Sequence, residues 1–469
     1  MTSNRVVLPG ATIGVLGGGQ LGRMLALAGR HMGYRFAVLD PAEDAPCAQV
    51  ADMHIRAAFD DVEAARQLAA RSDVVTYEFE NVSAEVARAL ASEAYVPQGS
   101  ELLRITQHRI REKRAVEAAG APVAPYAEVR DLEGLLDAAR RLGFPCVLKT
   151  CTGGYDGKGQ RVVRSEDEAK RAFAELSGGG TNELVLERWV AFEREISVIV
   201  ARSPRGEIRA FPPAENVHVD NILHLSIAPA RIGEAVRRHA EELAVRVAES
   251  LGVVGLLAVE MFVTADGRLY VNELAPRPHN SGHYTMEACA TSQFEQHVRA
   301  ICDLPLGPTR LWTPVVMVNI LGQHVASVLE WWPEAERDLP RGATAKLHLY
   351  GKRDALPNRK MGHVNLLCDD PEAVLEWAIR SPIWRDRTES LRRAGRLPKV
   401  REARLSPADR PAGGTEPQLA TAARSDGEVR PSAASTAHAG GETSPQRSAR
   451  ESAAEPSHHQ PAAKGGRSG

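Results

Sequence analysis

What the sequence lacks narrows it first. None of its six cysteines (Cys47, Cys146, Cys151, Cys289, Cys302, Cys368) forms a Cys-x-x-Cys pair, which argues against a structural zinc site and a disulfide framework. Charge of one sign is missing as well. The formal net charge is -2, so nothing pulls the whole chain toward nucleic acid or an anionic membrane, and neither is an expected partner. Long apolar runs are absent: the N-terminus has no segment of signal length, and no stretch approaches a membrane span. A reducing cytoplasm is the expected setting. The end of the chain has few large apolar groups. From Ala412 to Gly469 there is no aromatic residue, and Leu419 and Val429 are the only branched aliphatics. Such a segment cannot bury enough apolar surface to offset its ordering entropy, so 405–469 is expected to be a disordered tail.

What remains has the composition of a soluble globular protein, 43% hydrophobic and 25% charged. At 469 residues the chain predicts about two to four domains. Residues 12 to 40 read as strand, glycine turn, helix, strand; a helix near 61–71 and the run Val74-Val75-Thr76-Tyr77 continue the alternation. That pattern implies a parallel sheet with helices on its faces. From about 105 the character changes. A basic helix (Arg109, Arg111, Lys113, Arg114) is followed by a helix with Leu132, Leu135, Leu136, Ala139 and Leu142 on one face. Strands are expected around 184–186, 196–200, 256–263 and 268–271, with a helix carrying Val236 to Leu251 between them. Residues from about 300 to 385 look like a small mixed domain.

The densest signal is Lys149 to Gln160. An apolar run, Cys146-Val147-Leu148, delivers Lys149 to a loop with four glycines that ends in Lys158, Gly159 and Gln160. Glycines let backbone amides turn toward an anion, and lysines add fixed positive charge. Phosphate chemistry is the expectation, and an ordinary flexible hairpin loop is the alternative. Gly17 to Gly22 fits G-x-G-x-x-G between strand and helix, with Asp40 at the tip of the next strand. It reads as a dinucleotide fingerprint, as tight helix–sheet packing, or as a cradle for a substrate's phosphate. The motif does not choose among them.

Glu260 ends an apolar run and Glu273 follows Asn272 at the end of another. Paired as a hairpin, the two strands would send both carboxylates into one cleft, a donor set suited to Mg²⁺ on nucleotide phosphates. Solvated strand ends are the plainer reading. The 272–285 loop is rigid with proline and rich in donors (Arg277, His279, Asn280, Ser281, His283), as binding of a small oxyanion requires. Lys346, His348, Lys352, Arg359 and Lys360 form a last basic group, either a phosphate clamp or a solvated face.

Together these residues resemble the ATP-grasp superfamily of carboxylate–amine ligases, and within it the 5-(carboxyamino)imidazole ribonucleotide synthetase family. The resemblance covers roughly 11 to 385 and rests on Gly17 to Met24, Tyr77 to Asn81, Thr152 to Gln160 and Asn272 to Thr285. It implies an α/β and α+β architecture: a Rossmann-like pre-grasp domain (1–104), an ATP-grasp domain (105–300, halves meeting near 186) and a small C-terminal domain (301–390). It further implies that Arg109 and Lys149 contact ATP phosphates and that Gly154, Tyr155, Asp156, Gly157, Lys158, Gly159 and Gln160 close over them. Glu187, Arg188, Trp189 and Val190 would hold adenine, Glu195 the ribose, with His218 and Asn272 in the pocket. Glu260 and Glu273 would ligate Mg²⁺, or Mn²⁺ in its place. Gly18, Gly19, Gln20, Leu21, Glu78, Tyr155, Asp156, Lys158, Asn280, Ser281, Lys352 and Arg359 would hold 5-aminoimidazole ribonucleotide. Lys149, Arg277 and His279 are the expected catalytic residues, the last two toward the co-substrate bicarbonate.

The family also suggests a homodimer. Two positions depart from its pattern: His108 where an acidic residue is common, and Lys158 where arginine is. Lysine keeps the charge but loses the bidentate fork, which bears on substrate affinity. Rival readings are a formate-dependent formyltransferase of the same superfamily, a biotin-dependent carboxylase, a dinucleotide-dependent dehydrogenase and a non-catalytic nucleotide-binding module. The second lacks its Met-Lys-Met carrier sequence, and the last is disfavoured because every expected charged ligand position is filled.

Overall fold

The computed structural model describes residues 5–154 and 157–397. Tyr155, Asp156 and the tail expected after 405 lie outside the described residues. Strands β1 (Thr12–Leu16), β2 (Arg35–Leu39), β3 (Met53–Ile55) and β4 (Val74–Tyr77) form a parallel sheet in the order β3-β2-β1-β4. Its apolar strands are buried on both faces: Ile13, Val15 and Phe36 pack on one side, Leu16, Leu39 and Val75 on the other. The short edge strand β3 escapes the sequence reading, because three residues with a polar centre carry no usable period.

A second sheet holds β5 (Tyr126–Val129), β6 (Cys146–Thr150), β7 (Gln160–Val163) and β8 (Leu184–Arg188), all antiparallel, in the order β5-β8-β6-β7. Helices Leu132–Leu142 and Glu166–Leu176 pack on it, started by Asp131 and Ser165, whose side chains accept from Gly134 and Glu168 backbone N–H groups. β6 and β7 pair with Lys149 opposite Gln160, so the glycine-rich segment between them is a hairpin loop, as expected.

The third sheet is the largest. It comprises β9 (Phe192–Arg202), β10 (Ile208–Ala210), β11 (Ala214–Val219), β12 (Ile222–Ala228), β13 (Gly255–Thr264), β14 (Leu269–Ala275), β15 (Val315–Leu321), β16 (Thr344–Leu349) and β17 (Lys360–Leu367). The order is β14-β13-β9-β11-β12-β15-β17-β16, with β10 on β9, and every pairing is antiparallel. Helix Glu234–Ser250 packs Ala240, Leu243, Ala244 and Val247 against β9, β13 and β14. The sheet runs on past residue 300, because β12 and β15 pair and every residue of both is buried.

Candidate active site

A cavity of about 280 Å³ lies between the second and third sheets. β6 and β8 supply its floor of charge. Lys149 Nζ lies 3.0 Å from Glu187 Oε2, and Lys113 Nζ, from helix Arg109–Ala118, lies 3.2 Å from Glu187 Oε1. Burial alone would raise the Glu187 carboxyl, but the two lysines outweigh it and hold the group at about 2. Burial, reinforced by Arg109 and Lys113, pushes the Lys149 ammonium below its ordinary range against the pull of Glu187. One carboxylate thus serves two lysines with an arginine alongside. The local excess of positive charge suits an anionic guest.

β13 and β14 supply the opposing carboxylates. Glu260 and Glu273 stand directly opposite one another in register, and a β-bulge follows at once: Met261 pairs with Val271, leaving Asn272 as the extra residue. The bulge lets Val271 and Leu274 both enter the core while Asn272 and Glu273 both line the cavity beside Glu260. Strict alternation could not do this. Glu273 Oε2 lies 3.7 Å from Arg109 Nη1, and Glu260 Oε1 lies 2.9 Å from His279 Nε2. Burial would raise Glu260; the His279 hydrogen bond and charge override it and bring the carboxyl to about 2. Behind this pair Glu112 accepts the Leu274 N–H, and burial together with nearby Glu273 pushes it up to about 8. Two carboxylates and an amide oxygen in one cleft are a donor set that fits Mg²⁺.

At the far end Glu195 is held by His218 Nδ1 at 2.8 Å and by Arg396 Nη2 at 3.0 Å. Phe192 and Phe262 stack there with ring centres 4.6 Å apart, and the Arg396 guanidinium lies over Phe192. Arg188, Trp189 and Val190 also line the cavity, but the Arg188 and Trp189 amides already donate to Pro125 and Pro145. The C-terminal side of the hairpin loop lines the cavity through Gly157 and Lys158. Gly157, at φ 79°, packs so closely on the Asn221 amide that any side chain would collide with it. Lys158 and Gln160 line the same wall, and the Gly154 carbonyl accepts from Arg109 at 3.3 Å.

A second polar region surrounds Glu78. Its carboxylate accepts the N–H groups of Gly19 and Gly22, while Asp40 accepts Gly18 N–H at 2.8 Å and Ala42 N–H at 2.8 Å. Gly19 must be glycine here, since a Cβ would meet Glu78 Oε1 at 2.6 Å. These amides are occupied by the protein's own carboxylates. The G-x-G-x-x-G turn therefore offers no open pyrophosphate cradle, and Asp40 is not free for a ribose. Burial raises Glu78 to about 7 although the two amides oppose it. The cations nearby come from elsewhere: Lys352, lowered to about 8 by burial and then by Arg359, and Arg23, which with Gln49 ties down Gly351. Arg359 Nη1 donates to the Asp354 carbonyl at 3.0 Å. Arg23 and Gln49 were not anticipated, although Arg23 lies within the Gly17 to Met24 segment.

The 272–285 loop connects the two regions. Arg277 forms a bidentate pair with Glu80, and His279 faces Glu260. Ser281 is fully buried, bonded to His279 and Ser197. Asn280 is different. Both its amide atoms are buried and neither has a partner among the described residues; such a group calls for a ligand.

A glycine-rich hairpin beside buried lysines, with paired carboxylates facing each other on adjacent antiparallel strands of the same cavity, is the arrangement of an ATP-grasp enzyme. Residues 114–294 match the ATP-grasp domain family, 10–107 the ribonucleotide synthetase preATP-grasp domain and 315–376 the phosphoribosylaminoimidazole carboxylase C-terminal domain. The N5-carboxyaminoimidazole ribonucleotide synthase of Bacillus subtilis (strain 168) is 52% identical over 365 residues, 78% of this chain and 93% of that protein. That of Staphylococcus aureus (strain MRSA252) is 40% identical over 362 residues, 77% and 94%. Among solved structures, an ADP complex of N5-carboxyaminoimidazole ribonucleotide synthetase shares 56% identity at TM-score 0.78, covering 82% of this chain and 100% of its own. The Aspergillus clavatus synthase in complex with ADP and 5-aminoimidazole ribonucleotide shares 33% at TM-score 0.73, covering 82% and 99%. The chain belongs to the N5-carboxyaminoimidazole ribonucleotide synthase family, a group of ATP-dependent ligases, and the three-part ATP-grasp architecture expected from the sequence is borne out.

Proposed function

We propose that the chain uses ATP and bicarbonate to carboxylate the amine of 5-aminoimidazole ribonucleotide, releasing ADP and phosphate. Bicarbonate is a poor electrophile. Transfer of the γ-phosphoryl group to one of its oxygens gives carboxyphosphate, whose carbon the amine attacks with phosphate as leaving group. The observation that carries this reading is the facing pair Glu260 and Glu273 across one cavity from Lys149 and Arg109. Lys149, Arg109 and Lys158 orient the phosphates, Glu195 and His218 face the ribose, and the Glu187 to Val190 segment lies along the base. Mg²⁺ (or Mn²⁺) held by Glu260, Glu273 and Asn272 would neutralise charge on the transferring group. The glycine-rich loop excludes water from an intermediate that hydrolyses readily.

The ribonucleotide lies against Glu78 and Asn280 with its phosphate toward Lys352 and Arg359. Gly18 to Leu21 border the same region, where the Gly19 N–H fixes the Glu78 carboxylate together with that of Gly22. Arg277 and His279 position bicarbonate. A homodimer and a cytoplasmic setting complete the reading. The family resemblance supports the first; the reduced, unpaired cysteines support the second, and no helix among the described residues is long and apolar enough to cross a membrane. The test is ADP formation with each substrate omitted in turn. Dependence on both ribonucleotide and bicarbonate is expected; release sustained by formate without bicarbonate would favour the formyltransferase reading.

A further inference from the structure

Beneath Glu260 runs a chain of buried polar groups of which the reaction above uses only His279. Its members come from different elements: Ser226 on β12, Asn216 on β11, Ser197 on β9, then Ser281 and His279 in the 272–285 loop. Ser226 Oγ lies 2.9 Å from Asn216 Oδ1, Asn216 Nδ2 3.0 Å from Ser197 Oγ, Ser197 Oγ 2.7 Å from Ser281 Oγ, and Ser281 Oγ 2.8 Å from His279 Nδ1. His279 Nε2 then meets Glu260 at 2.9 Å. Ser197, Asn216, Ser226 and Ser281 are all at most 5% exposed.

The direction of every bond in this chain is fixed from one end. Nε2 faces a carboxylate, so it carries the proton. The Ser281 backbone N–H also points at Nδ1, at 3.4 Å, which makes Nδ1 an acceptor. The Ser281 hydroxyl therefore donates to Nδ1 and its oxygen accepts from Ser197. Ser197 in turn accepts from the Asn216 NH₂, and the Asn216 oxygen accepts from Ser226. No donor meets a donor along the whole path, and a buried network satisfied in this way locks its members.

We infer that Ser197 and Asn216 are positioning residues for the reaction: through Ser281 they fix where the His279 ring stands, and its Nε2–H then aims the Glu260 carboxylate into the nucleotide cavity. Nothing in the sequence marks them, since a serine and an asparagine on apolar strands read as ordinary interior polar residues. The inference rests on Glu260 serving the nucleotide phosphates, but its first readout does not.

The test joins ring position and turnover on the full chain. With ¹⁵N-labelled histidine, the His279 ring signals are identified by their loss in His279→Gln. Native protein is expected to show one sharp set, in the Nε2–H form. In Ser197→Ala the Ser281 hydroxyl loses the donor that holds it against Nδ1, so the ring takes more than one position and its signals split or broaden. The kcat falls about tenfold, in the range seen when groups that orient a metal ligand are removed, while ADP affinity by calorimetry stays within twofold. Asn216→Ala gives the same signature and serves if Ser197→Ala does not fold. Native-like ring signals in the variants overturn the inference. So does a changed ring that leaves kcat unchanged. A fall in activity with the ring signals intact would count against the positioning role and leave the assignment of the reaction itself untouched.

Discussion

Five buried or half-buried carboxylates divide by the company they keep. Glu80, Glu187 and Glu260 each face a cationic or imidazole partner and are drawn down to about 2 in spite of burial. Glu78 and Glu112 are tied chiefly to backbone N–H groups, and burial lifts them to about 7 and about 8. The first three are fixed charges; Glu78 changes charge near neutrality. Its folded-state value lies above the ordinary one, so it adds stability at low pH that is lost as pH rises through about 7. Glu78→Gln removes that titration. The melting temperature of the variant, relative to native protein, is expected to climb between pH 5 and pH 8, and calorimetry at several pH values would show it. A flat difference would contradict the buried, titrating carboxyl. The same variant sets an NH₂ against the Gly19 or Gly22 N–H and should raise the ribonucleotide KM about tenfold, one charged hydrogen bond's worth. The identity of these residues was legible as motif; their charge states were not, because each depends on partners up to 197 positions away, as in Arg277 and Glu80.

At the scale of elements, the hairpins that carry the site announce themselves. Apolar runs on either side of the glycine-rich segment after Lys149, and on either side of Ala265-Asp266-Gly267, predict β6–β7 and β13–β14, and both form. The bulge at Asn272 does not announce itself. A single extra residue shows only in the register between two strands, and one sequence contains no register. Its role yields a definite outcome for a deletion. Removing Asn272 restores strict alternation with Val271 inward, Glu273 outward and Leu274 inward, so the protein should fold with a melting temperature within a few degrees of native, on the scale of about 1 kcal/mol. It should need several-fold more Mg²⁺ for half-maximal ADP formation, having lost one oxygen donor. A deletion variant that fails to fold would show that the bulge does more than admit Asn272. The β11–β12 hairpin also went unread, because Asp220 and Asn221 at its turn take positive φ without a glycine to mark it.

For the whole molecule, the small C-terminal domain expected at 301–390 has its family match at 315–376, and its strands β15, β17 and β16 extend the sheet that carries Glu260. Pairing between β12 and β15 spans about ninety residues and leaves no local trace; it follows from two fully buried strands needing partners. A chain cut before β15 would expose the buried strand Ile222–Ala228 as an edge, and is expected to aggregate on expression. Soluble, monodisperse protein from residues 1–312 would refute that. The continuity also holds Lys352, on the turn after β16, where its charge acts on the Glu78 carboxyl just past the end of β4.

The coupling of ATP to bicarbonate is tested most directly by isotope transfer. With ¹⁸O-labelled bicarbonate and unlabelled ATP and ribonucleotide, phosphorus NMR of the released phosphate should show one ¹⁸O atom per molecule, carried over through carboxyphosphate. Phosphate without ¹⁸O, formed at the same rate as the carboxylated product, would contradict it.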